Sequence, residues 1–195
     1  MKKIFILISI FFCLIISSKA ETVRIFSGKK DAKNTIIIYE SLTCSHCANF
    51  HKEIFPLLKK DFIDTGLVKI EFRHFPLNLA AFNASKIAQC KNNSETELGL
   101  KILDSLYSNQ QSWVKGNTIE EMNENLKNFL TREGFSMDFE NCINNKEIEN
   151  FVLNDRIEGA QKFKVNATPT IIINNKKFEK SLNYKNLKKS LEKLI

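Results

Sequence analysis

The sequence predicts an α/β fold, one domain interrupted by a helical insertion, and three observations carry that expectation. Thr35-Ile36-Ile37-Ile38-Tyr39-Glu40 is a continuous apolar run of strand length, the pattern of a strand covered on both faces. Val68, Ile70 and Phe72 alternate with Lys69, Glu71 and Arg73, the period of two that marks another strand. From about Pro76 to Glu149 only helical patterns follow, and strand character returns at Thr170-Ile171-Ile172-Ile173.

The elements can be taken in order. Lys2 and Lys3, the apolar run Ile4 to Ile16 and the small-x-small triplet Ser18-Lys19-Ala20 have the layout of a cleaved export signal over residues 1–20. The 13-residue run is well short of the roughly 20 apolar residues a membrane-spanning helix needs. Cys13 lies inside that run, and mature protein is expected to start near Glu21. The remaining 175 residues, 21–195, suit one domain better than two. The signal carries three of the lysines behind the formal charge of +7, which leaves a mature charge of about +4 spread along the chain. That mild excess gives no reason to expect nucleic-acid binding.

Val23 to Phe26 is a short strand candidate, and Thr35 to Glu40 is the expected central strand. A helical pattern through Lys60 then sets Phe50, Ile54, Leu57 and Leu58 toward a core, with a kink predicted at Pro56. Within the insertion, placed at about 77–149, Ser94-Glu95-Thr96-Glu97 and Thr118-Ile119-Glu120-Glu121 both fit the capping box that satisfies free amides at a helix start. Apolar periodicities follow each: Leu98, Ile102, Leu103 and Leu106, then Met122, Leu126, Phe129 and Leu130. A helix from about Glu147 to Phe163 leads to the strand at Thr170. Asn174-Asn175 suits a tight turn into an edge strand around Lys177-Phe178. Tyr184, Leu187, Leu191 and Leu194 mark an amphipathic C-terminal helix.

The chemistry centres on Cys44-Ser45-His46-Cys47, set between the buried strand and a helix. Unpaired amides and the dipole at a helix start favour a thiolate on Cys44. Cys47, one turn further in, can attack a mixed disulfide formed by Cys44 and release the product. Ser45 and His46 are placed to tune the thiolate, and a donating His46 would strengthen it. The competing readings of an isolated C-x-x-C are a structural disulfide or a metal site. Zinc at a structural site takes four protein ligands, and Cys44, Cys47 and His51 supply three at most, so no metal or cofactor is expected.

Ala167-Thr168-Pro169-Thr170 stands directly before the returning strand. A trans proline at a strand start is the ordinary reading; its place after the insertion, in a chain with three prolines, points instead to a cis bond at Pro169. Cys90 and Cys142 are left for each other once Cys44 pairs with Cys47. A structural disulfide is favoured over two separate buried thiols. Glu40 could accept a proton beside the active loop, although solvent exposure is the simpler expectation. His51, His74 and Trp113 read as packed or surface side chains with no assigned role.

Three segments carry a resemblance: Ser41-Leu42-Thr43-Cys44-Ser45-His46-Cys47-Ala48-Asn49-Phe50-His51, Phe72-Arg73-His74-Phe75-Pro76-Leu77, and Ala167-Thr168-Pro169-Thr170. With the inserted helices, the chain resembles the DsbA-like branch of the thioredoxin superfamily along essentially all of its mature length. The resemblance implies a thioredoxin-like fold, Cys44 as the attacking and Cys47 as the resolving cysteine, and Thr168 and Pro169 in a cis-proline loop where extended substrate peptide lies. It implies a periplasmic oxidase that donates the Cys44–Cys47 disulfide to newly exported, unfolded cysteine-containing proteins and is recharged by a DsbB-type membrane reoxidase. Ser45 and Thr168 depart from the commonest oxidase pattern, where proline and valine are frequent. A disulfide reductase or isomerase of the same fold, and a non-enzymatic C-x-x-C metal-binding protein, are the alternatives.

Overall fold

The computed structural model describes residues 22–94 and 97–195; the export-signal expectation for residues 1–20 lies outside them. Five strands form one sheet in the order β1-β3-β2-β4-β5: β1 Ile25–Ser27, β2 Asn34–Glu40, β3 Val68–His74, β4 Thr170–Ile173 and β5 Lys176–Lys177. β2 and β3 run parallel and the other pairs antiparallel. The unbroken apolar run therefore does occupy the centre. Ile36 and Ile38 face one way, level with Ile70 and Phe72 on β3 and with Ile173 and Ile171 on β4. They join the large core under the inserted helices. Ile37 and Tyr39 face the other way, into a smaller core with Ile172, Phe75, Phe163 and Val165.

Helical structure runs from Ser45 to Ile63 without interruption but in four pieces: α1 Ser45–Asn49, a π-helical turn Phe50–Ile54, α2 Phe55–Leu58 and a second π-helical turn Lys59–Ile63. Pro56 explains the first change of register. It has no N–H to offer and its ring crowds the carbonyl four residues back. The turn before it widens, so that the Phe55 N–H bonds the Phe50 carbonyl five residues back. The wide turn also moves the apolar face. Leu57, expected in the core, is 43% exposed, while Phe55, Leu58, Phe62 and Ile63 are buried.

Between β3 and β4 lie α3 Leu79–Ser94, α4 Leu98–Ser108, α5 Gln110–Trp113, α6 Ile119–Arg132, α7 Phe139–Asn144 and α8 Lys146–Lys162. Of the two capping boxes, Thr118 accepts from the Glu121 N–H at 3.2 Å, and Glu121 reaches back to the Asn117 N–H at 2.7 Å. Ser94 instead closes α3; α4 starts at Leu98 after Glu97 in the left-handed region (φ 86°), with no side-chain cap. Gly159 lets α8 lie against the sheet, because a Cβ there would stand 2.8 Å from the Tyr39 ring.

The remaining elements follow the pattern with small shifts. β1 starts two residues and ends one residue later than the expected span, and β5 lies one residue earlier. Asn174 and Asn175 both have positive φ, 46° and 65°, as the two-residue hairpin needs. Asn174 also accepts from the Thr35 N–H at 2.9 Å. α9 covers Tyr184–Leu191 and buries Leu187 and Leu191, whereas Leu194 falls beyond its end and is exposed.

Cys90 on α3 and Cys142 on α7 are joined by a disulfide across a sequence separation of 52. It closes most of the insertion into one loop, and loop-closure entropy assigns such a link about 4 kcal/mol. Replacing both cysteines with Ala should lower unfolding free energy by about that amount in denaturant titrations. A loss below about 1 kcal/mol would show that packing alone holds the inserted helices.

Candidate active site

β2 delivers the chain to the site. Its last residue, Glu40, pairs with His74 on β3, and the loop Ser41 to Thr43 turns so that Cys44 is the residue just before α1, with extended backbone (φ −86°, ψ 119°). The Cys44 N–H bonds Ser41 at 3.0 Å, and the Cys44 carbonyl accepts the N–H groups of Cys47 and Ala48, both at 3.1 Å. Gln110, at the start of α5, donates its amide to the carbonyls of Leu42 (2.7 Å) and Cys44 (3.2 Å). The insertion thus clamps the active loop from outside.

The Thr168–Pro169 bond is cis. Thr168 places its carbonyl 3.3 Å from Cys44 Sγ, within reach of the thiol S–H. Its hydroxyl is buried without a partner of its own and supports the thiolate once the proton has left. The sequence-derived residues Cys44, Cys47, Thr168 and Pro169 therefore converge. Ser45 and His46 are exposed at the helix start. His46 aids the sulfur through its backbone N–H, while its side chain lines a groove of about 340 Å³ with Phe50, Ile54, Thr168, Pro169 and Leu182.

The two thiols are strongly unequal. Cys44 is partly exposed and Cys47 fully buried. A hydrogen bond from Cys47 does most to lower the Cys44 thiol; burial opposes it, and Thr168 with the N–H groups of Cys47 and His46 carries it from 9.0 to about 5. Burial drives Cys47 far the other way, aided by its bond to Cys44 and by the negative charge of Glu40.

Glu40 corrects an expectation. It is not solvent-exposed but 3% accessible, covered by the helical segment after Cys47 and by α4. Its Oε2 lies 2.9 Å from His51 Nε2, and its Oε1 is buried without a partner. His51, given no role from sequence, has its Nδ1 3.2 Å from Asp104 on α4. Burial works against an imidazolium there, but the charge of Glu40 and the bonds to Asp104 and Glu40 outweigh it and raise His51 from 6.5 to about 9. Tyr107 stacks on the His51 ring at 4.2 Å between centroids. Burial, then the charges of Glu40 and the two cysteines, keep its phenol protonated.

Sequence reasoning missed Gln110, Asp104 and Tyr107 altogether; they come from the insertion, and only the i, i+3 spacing of Asp104 and Tyr107 hinted at a shared helix face. His74 is not part of the site. It is buried against Gln89 at 3.2 Å, and its N–H bonds Asp155 at 3.1 Å. Trp113 is core, donating to the Leu106 carbonyl at 2.9 Å.

The family model described as thioredoxin matches residues 20–193. The chain is 28% identical over 179 residues to disulfide bond formation protein D of Bacillus subtilis, covering 85% of this chain and 74% of that protein. It is 31% identical over 150 residues to a Rickettsia conorii protein named for protein-disulfide oxidoreductase activity, covering 75% of this chain and 52% of the relative. The chain thus spans about half the length of the Rickettsia relatives it matches. Among solved structures it is similar to alpha-DsbA1 of Wolbachia pipientis, with TM-score 0.77, 27% identity and coverage of 88% and 90% of the two chains. BdbD of Bacillus subtilis superposes with TM-score 0.70 at 25% identity, covering 87% and 91%.

The thiol asymmetry has a direct spectroscopic consequence. Thiolate absorbance of the reduced protein, followed from acid to neutral pH, should rise with a midpoint near pH 5 and should disappear in Cys44→Ser. A midpoint near the ordinary thiol value of 9.0 would contradict the site electrostatics.

Proposed function

We propose, from the fact that this chain belongs to the thioredoxin family, that it is a protein-disulfide oxidoreductase working as a DsbA-like oxidase, with Cys44 as the reacting sulfur and Cys47 as its resolving partner. The observation that carries this is the stabilised thiolate of Cys44 beside a buried thiol that stays protonated. A stabilised thiolate is a good leaving group and makes the corresponding disulfide a strong oxidant.

The reaction runs in two exchanges. A substrate thiolate attacks Cys44 Sγ in the Cys44–Cys47 disulfide, and Cys47 leaves, taking a proton from the Glu40 side. A second substrate thiolate then attacks the substrate sulfur of the mixed disulfide, and Cys44 leaves as its stable thiolate. The substrate gains a disulfide and the enzyme keeps two reduced cysteines. Thr168 and Pro169 form one wall of the groove beside Cys44, where an extended peptide can use backbone hydrogen bonds more than side-chain pockets. That favours unfolded, cysteine-containing substrates of varied sequence.

The working place is an exported one, the periplasm, reached through the leader at residues 1–20, since a disulfide donor needs a compartment where disulfides persist. No helix of the described residues is long and apolar enough to cross a membrane. Recharging then falls to a membrane reoxidase of the DsbB type. Oxidised protein mixed with a reduced, unfolded cysteine-containing protein should form disulfides in it. Cys47→Ser should accumulate mixed disulfides through Cys44, and Cys44→Ser should do neither; full turnover by Cys44→Ser would overturn the assignment.

A further inference from the structure

The charge of the Glu40 carboxylate acts on the buried Cys47 thiol, yet Glu40 has no direct path to water. It is almost fully enclosed, and a base that cannot exchange its proton serves once. Around the His51 ring beside it pack Phe72 from β3 and Phe50 and Phe55 from the helix after Cys47, and from α4 comes the Tyr107 phenol, held protonated. His51 links Glu40 to a second carboxylate. One ring nitrogen meets Glu40 at 2.9 Å and the other meets Asp104 at 3.2 Å. The Asp104 side chain is 48% exposed and lies on the wall of an open cavity of about 500 Å³ that also includes Lys30, Lys59, Lys101 and Asp64.

We infer that Glu40, His51 and Asp104 form a proton path between the buried Cys47 sulfur and the solvent beside α4. The inference rests on the roles proposed above for Cys44 and Cys47. When Cys47 resolves a mixed disulfide, its sulfur bonds to Cys44 Sγ, the bond from Cys44 to the partner sulfur breaks, and the electron pair leaves on the partner as a thiolate. The Cys47 proton goes to the unpartnered Oε1 of Glu40. At the same time His51 releases its Nδ1 proton to Asp104, which passes it to water. One proton enters the cluster and one leaves, so a carboxylate and imidazolium become a neutral acid and a neutral imidazole. No net charge is created in the core, where an uncompensated one would be costly. Run backwards, the same path supplies the proton on which Cys47 departs when a substrate attacks Cys44.

His51 and Asp104 are positioning residues in this scheme, acting on the sulfur through Glu40. The cavity beside Asp104 and the groove beside Thr168 and Pro169 share no lining residue, so a partner docked in the groove leaves the proton exit open. The ring stack of Tyr107 on His51 keeps the imidazole aligned with both carboxylates.

The test follows reduced full-length mature protein after mixing with oxidised glutathione, by acid quench and mass spectrometry. Attack by Cys44 is the bimolecular phase, and resolution by Cys47 is the unimolecular phase that frees glutathione. Asp104→Asn, a change at a half-exposed position, should slow the unimolecular phase by about tenfold, less than loss of the base itself would. Asp104→Glu should restore it. Imidazole buffer should accelerate resolution in Asp104→Asn in proportion to its concentration and leave the wild type unmoved, a rescue that a purely structural role for Asp104 would not show. His51→Gln should slow the same phase without rescue. An Asp104→Asn rate within twofold of wild type, or a slow rate indifferent to buffer, would overturn the path. Absence of the bimolecular phase in the wild type would instead count against the role given to Cys44.

Discussion

The fixed position of one sulfur governs the rest of the molecule. Cys44 Sγ sits where a helix start, the Thr168 loop and the buried Cys47 thiol meet; the first and last belong to one short helix, and the loop comes from a distant part of the chain. β2 and α1 are consecutive, but Thr168 arrives after the whole insertion. The antiparallel pairing of β4 with β2, Tyr39 opposite Thr170, brings it within hydrogen-bond reach. A slip of that register by one residue would turn every β4 side chain to the other face and take the Thr168 carbonyl away from the sulfur. The apolar match of Ile36, Ile38, Ile171 and Ile173 is therefore a condition of the chemistry as well as of stability.

The insertion also serves the site. α5 supplies Gln110 to the active loop, and α4 supplies the Asp104 and Tyr107 that enclose His51. The disulfide between α3 and α7 restrains the body from which those helices project. The groove is lined by His46, Thr168 and Pro169, next to Cys44, and the carboxylate–imidazole chain ends at a cavity with a different lining, so electron exchange and proton exchange use separate openings.

Much of this was legible in the sequence. The apolar run of β2, the alternation of β3, the Asn174-Asn175 turn and the Thr118 cap are local patterns, and the structure follows them closely. The meeting of Cys44 with Thr168 and Pro169 was an expectation of the family resemblance, since nothing in the spacing of the two motifs brings them together. What was not legible depends on tertiary cover. Glu40 ends a strand, and nothing local says that Tyr107 and His51 will close over it. Leu57 was placed in the core by a period of 3.6, which a π-helical turn before Pro56 breaks. Ser94 matches a capping box yet is the last residue of α3. Contacts made across more than fifty residues, such as His51 with Asp104, leave almost no trace in spacing.

The central claim is that the reduced site holds one thiolate and one thiol, and the pH dependence of its reduction potential tests this most directly. Equilibration with glutathione at a series of pH values would give the potential of the Cys44–Cys47 couple, with Cys90 and Cys142 confirmed to remain bridged. Taking up two electrons with one proton predicts a slope of about 30 mV per pH unit through neutral pH, steepening toward about 59 mV below the Cys44 midpoint, with a neutral value nearer roughly −120 mV than −270 mV. A slope of about 59 mV per pH unit from acid to alkaline conditions would mean two ordinary thiols, and the account of the site would fail.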